Sequence, residues 1–84
     1  MRTIYEYELA ELIAKQLDDC AIEILRFGDS FHASIYSTAL VEDDIPFLHS
    51  IFQEVLVSGT KLPGIINVYC SGMKRNRVVR LLKD

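Results

Sequence analysis

The imidazoles and thiols of this 84-residue chain, the groups that most often serve as nucleophiles, neutral-pH bases or zinc ligands, are Cys20, His32, His49 and Cys70. An imidazole changes charge near neutral pH, and a cysteine becomes a nucleophile when a basic neighbour holds it as the thiolate. Their placement argues against both uses. Structural zinc sites draw four ligands in close pairs, whereas these four are scattered evenly, with no C-x-x-C or H-x-x-x-H pair. Each cysteine falls at an apolar strand position, where a free thiol behaves as a small hydrophobe, and no disulfide between them is expected. Glu42-Asp43-Asp44 lacks the alternating ligands and the glycine of a calcium loop and reads as a helix start. The four glycines, at 28, 59, 64 and 72, are isolated and build no phosphate-binding loop. The expectation is a protein that is not an enzyme and carries no metal or cofactor.

Recognition chemistry is better represented. Through position 72 the chain has eleven Asp and Glu against four Lys and Arg, a balance of −7; residues 73–84 have five basic groups against Asp84, a balance of +4, which leaves −3 overall. The basic groups begin in Met73-Lys74-Arg75-Asn76-Arg77 and continue with Arg80 and Lys83. Such a strip can neutralise phosphates or dock on an acidic protein surface. Three further candidates, His32, Tyr36 and Tyr69, fall on the polar phase of their strands, where rings can stack on bases or anchor a protein partner.

These residues need elements to hold them. Thr3-Ile4-Tyr5-Glu6 has the pattern of a capping box, followed by a stripe of Tyr5, Leu9, Leu12, Ile13 and Leu17 at spacings of three and four, so a first helix is expected to end near Asp18-Asp19. Cys20–Ser37 reads as a hairpin: Phe31, Ala33 and Ile35 alternate with His32, Ser34 and Tyr36, and Gly28-Asp29 supplies the tight turn. A second helix is expected to start at Glu42-Asp43-Asp44-Ile45-Pro46. It buries Leu48, Ile51, Phe52, Val55 and Leu56 and stops at Ser58-Gly59. A third strand follows at 65–70, with Ile66, Val68 and Cys70 on one face. For the last segment, the β-branched pair Val78-Val79 favours a fourth strand over 78–83. A short helix with Val78, Leu81 and Leu82 on one side is the alternative.

The fold class expected is therefore α+β over one domain, 1–84. Helix-hairpin-helix-hairpin (αββαββ) gives a four-stranded antiparallel sheet with two helices on one face, and a loose repeat of a forty-residue unit. The other face, carrying His32, Ser34, Tyr36, Asn67 and Tyr69, is left for solvent or a partner. No apolar run approaches the ~18 residues of a membrane span, and the N-terminus turns acidic at Glu6, so a cytoplasmic protein with no membrane partner is expected. The function expected is a non-enzymatic protein-binding module, a small regulator, adaptor or inhibitor, using Lys74, Arg75, Arg77, Arg80, Tyr36, Tyr69 and His32. A homodimer is a further expectation for so small a core with open sheet edges. The alternative is RNA or DNA binding through the basic strip.

Overall fold

In the computed structural model, which describes residues 2–40 and 42–83, the first helix, α1, runs Glu6–Gln16. Leu9 and Ile13 are fully buried, and Leu17 is buried just past its end. The start is later than the Thr3–Glu6 pattern implies. Glu8 accepts the Tyr5 amide at 3.1 Å and is held by Arg2, while Glu6 reaches across to Arg26 at 2.9 Å. Tyr5 is turned to solvent, and Ile4 is buried in its place.

β1 (Cys20–Phe27) and β2 (Ser30–Ser37) form the expected hairpin, folding at Gly28 with a φ of +60°, a region open to glycine at little cost. The second helix departs from expectation. α2 covers only Asp44–Ile51, and β3 (Phe52–Gly59) continues from it with no connector. Residues 48, 51, 52, 55 and 56 satisfy the helical period, but Val55 and Val57 also alternate as a strand would. For so short an apolar run, periodicity cannot separate the two. The β-branched valines and a partner strand decide for β3. The Lys74 amide closes the helix end by donating to the Ile51 carbonyl at 2.8 Å.

β4 (Ile66–Met73) begins one residue later and ends three residues later than the strand expected at 65–70, and it is followed by a helix, α3 (Arg75–Leu82), where the valine pair favours a strand over 78–83. The propensity of Val78-Val79 is overridden by packing. Val78 is fully buried and Leu81 and Leu82 are partly buried on the same side, while Asn76, Arg77 and Arg80 face solvent. The fold is α+β with a four-stranded antiparallel sheet, as expected. The order is αββαββα with three helices instead of αββαββ with two, and the fourth strand comes from 52–59.

The sheet order is β1-β2-β4-β3, so β2 and β4 pair in the centre and each hairpin supplies one edge. Ile35 lies opposite Val68, and Ala33 opposite Cys70. These four, with Phe31, form one cluster with Leu9 and Ile13 of α1, Leu48 and Ile51 of α2, Phe52 and Val78. One sheet face therefore receives all three helices, and the opposite face is open. Among the described residues no helix is long and apolar enough to cross a membrane.

Candidate functional site: the open sheet face

Alternation along the central strands builds the site. With Ala33, Ile35, Val68 and Cys70 turned into the core, His32, Ser34 and Tyr36 of β2 and Asn67 and Tyr69 of β4 are on the opposite face. The ladders set Tyr36 beside Asn67 and Ser34 beside Tyr69. They also set Glu23 of β1 beside Ser34, and Leu56 of β3 beside Tyr69. One row, Glu23, Ser34, Tyr69, Leu56, thus crosses all four strands.

The side chains on this face hold one another. The Tyr69 hydroxyl and His32 Nδ1 share a hydrogen bond of 2.5 Å, with the two rings edge to face at 5.7 Å between centroids. Phe27, at the end of β1, lies against the same imidazole at 4.3 Å. Asn67 Nδ2 donates to Ser34 Oγ at 3.0 Å, and Ser34 is buried although it is on the open side. The polar groups satisfy one another and the rings are fixed in place, which lowers the entropy cost of binding on them. Tyr36 is 46% exposed and borders an apolar cleft of about 480 Å³ formed with Thr60, Lys61, Leu62 and Ile65. The charges set on this face by the pairing are Glu23 and Glu54.

The basic strip is elsewhere. Lys74 caps the start of α3, Arg75 and Arg77 lie in its first turn and Arg80 in its last, in the helical layer behind the sheet. Lys74 Nζ donates to the His49 carbonyl at 3.0 Å, and Arg75 Nη2 donates to the Arg2 carbonyl. Arg77 and Arg80 are exposed. A second cleft of about 480 Å³ lies between Arg26, Arg75, Asp29, Thr3, Ile4 and Phe31. Its positive charge is largely spoken for: Arg26 pairs with Glu6 and lies over the Phe31 ring at 4.6 Å. Of the seven residues singled out from sequence, the structure gathers His32, Tyr36 and Tyr69 on one face and the four cations on the other side of the molecule. Phe27 and Leu56 complete the face and escaped the sequence reading. Phe27 adjoins the turn, and Leu56 falls on the helical period of 48–56; the strand over 52–59 places it next to Tyr69.

The cysteines are both free. Burial pushes the Cys70 thiol up to about 12, and burial, followed by the nearby Asp44 carboxylate, raises that of Cys20. Cys70 in the folded protein is expected to label with a thiol reagent at pH 8 at least ~100-fold more slowly than in denaturant. A thiol whose folded pKa is raised contributes stability below its unfolded value of about 8.5 and loses it as pH climbs towards the folded value. The urea midpoint is therefore expected to fall above about pH 9. On the acid side, Glu6 is held below its ordinary value of 4.5 by Arg26, and Glu8 by the Tyr5 amide and Arg2. That contribution is lost as pH drops through their folded values, and both groups are at the surface, so it is small.

The fold and this face define an α+β protein with its helices on one side of the sheet and an ordered aromatic surface on the other. Comparison of the chain with known protein families, curated proteins and solved structures finds no match.

Proposed function

We propose that the protein is a non-enzymatic binding module that takes a protein partner on the open sheet face. The observation that carries this reading is the interlocked set Phe27, His32 and Tyr69 beside the half-exposed Tyr36. Fixed aromatic rings with satisfied polar tips supply contact area at low ordering cost, the composition typical of interface centres. Glu23 and Glu54 flank the rings, so the complementary partner surface is apolar at its centre with Lys or Arg at its rim. The apolar cleft beside Tyr36 suits one anchoring side chain. A small regulator, adaptor or inhibitor works in this way, by covering a site on a larger protein.

Nucleic-acid binding through Lys74, Arg75, Arg77 and Arg80 is the second reading, favoured by the exposure of Arg77 and Arg80 along α3. Against it, the stacking rings lie on the opposite side of the sheet, flanked by carboxylates that repel phosphate. One experiment separates the two readings. Immobilised protein is exposed to lysate with and without nuclease, at two salt concentrations, alongside Tyr69→Ala and a Lys74→Ala/Arg77→Ala/Arg80→Ala variant. The protein-partner reading expects a nuclease-resistant band reduced at least ~10-fold by Tyr69→Ala and little changed by the triple variant. Nuclease-sensitive material, shed at high salt and lost in the triple variant, would transfer the function to α3.

A further inference from the structure

β1 and β3 are the two edges of the sheet, and they are defended differently. β1 carries Glu23 and Arg26 on opposite faces, and Arg26 is engaged by Glu6. β3 has no proline, lysine or arginine anywhere in Phe52–Gly59, and Glu54 is its one charge. Leu56 is 55% exposed and Val57 52% exposed, and successive residues of a strand point to opposite faces. Neither a ligand on the open face nor one on the helical face would cover both side chains. A strand laid along the β3 edge covers both, and it pairs the backbone amides and carbonyls that β4 leaves unused.

We infer that this strand is β3 of a second copy, paired antiparallel across a two-fold axis at Leu56. The order of the side chains argues for it. In an antiparallel pair, opposed residues share a face, and a two-fold through Leu56 sets Leu56 against its own counterpart, Val55 against Val57, Glu54 against Ser58 and Gln53 against Gly59. Every apolar side chain from 55 to 57 meets an apolar one, and the acids are kept apart. Neighbouring registers do not achieve this. An axis at Val55 opposes Glu54 to Leu56 and Gln53 to Val57. An axis at Val57 opposes Leu56 to Ser58 and Val55 to Gly59, and an axis at Glu54 brings two carboxylates face to face. The Leu56 register joins the two sheets into one of eight strands with the open faces continuous, so that Tyr69, Leu56 and their counterparts form a single apolar band over the axis. The edge pairs through backbone and through both faces whether or not the open face takes a protein partner.

Sedimentation equilibrium between about 1 µM and about 1 mM tests it. The mass is expected to double across this range, and Leu56→Lys and Val57→Lys are each expected to weaken association at least ~100-fold with the far-ultraviolet circular dichroism unchanged. A cross-link fixes the register without relying on a destabilising change. On oxidation Leu56→Cys is expected to give a disulfide-linked dimer, Ser58→Cys is expected to give none above background, and the wild type with its native Cys20 and Cys70 sets that background. A monomer at every concentration would overturn the inference and leave the β3 edge to a strand from a different protein. A dimer that survives both lysine substitutions, or that cross-links as readily through Ser58→Cys, would overturn it as well.

Discussion

Phe52→Ala is expected to destabilise the protein by ~3–5 kcal/mol, read from urea denaturation, the range for truncating a buried aromatic ring. Phe52 has no solvent exposure and stands where α2 becomes β3, so its ring fills the seam between the helical layer and the sheet, in the cluster with Ile51, Leu48 and Val78. The surroundings cannot collapse easily into the space left. Its neighbour Ile51 is itself fully buried and is anchored through its carbonyl to the Lys74 amide. A domain of this size has a total stability of roughly 5–15 kcal/mol, so the variant retains only part of its fold margin and is expected to melt some 15 °C lower or more. Leu56→Ala, four residues on and more than half exposed, is expected to change the stability of the monomer by less than ~0.5 kcal/mol. Loss below ~1 kcal/mol for Phe52→Ala would show that the ring is not in the core and that the α2–β3 seam is placed wrongly.

Gly72→Ala is expected to cost ~2–4 kcal/mol, from two separable causes. Gly72 has a φ of +70°, where a side chain is strained whatever the space around it. A Cβ at this position would also lie 3.0 Å from the Gln53 Cβ across the β3–β4 ladder, a backbone-anchored atom that cannot swing away. A double-mutant cycle divides the two. Gln53→Gly in the Gly72→Ala background relieves the contact and is expected to recover part of the loss, leaving ~1–2 kcal/mol of conformational strain. Full recovery would place the whole effect in the clash, and none would place it in the backbone.

The hairpin 20–37 was legible because its alternation is unbroken: Phe31, Ala33 and Ile35 could face only one way, and that assignment also fixed His32, Ser34 and Tyr36 on the open face. Asn67 and Tyr69 followed from Ile66, Val68 and Cys70 by the same reasoning. The boundary at Ile51–Phe52 was not legible. Residues 48–56 keep the helical period throughout, in a run too short for period to decide, and what turns the chain to strand from Phe52 is a partner more than ten positions further along. The helix over Arg75–Leu82 was outvoted by local preference, because two adjacent valines favour a strand until the need to cover Val68 and Cys70 is counted. The same two segments decide the site: the helical period of 48–56 conceals Leu56 from the face, and nothing in the chain marks that the sheet stands between the four cations and the tyrosines.

The central pairing of β2 with β4 also orders events in time. Each hairpin joins strands that are close in the chain and can zip from its own turn, at Gly28 or in the 60–65 connector. β2 and β4 meet only when residues 29 to 37 positions apart are brought together, from Ser37 with Ile66 to Ala33 with Cys70, at the entropy cost of closing the loop that carries α2 and β3. The two halves of the molecule are thus quick to form and slow to join. Until they join, the row of backbone groups on each hairpin's inner edge is uncovered, so the unfinished chain has more open strand edges than the native one.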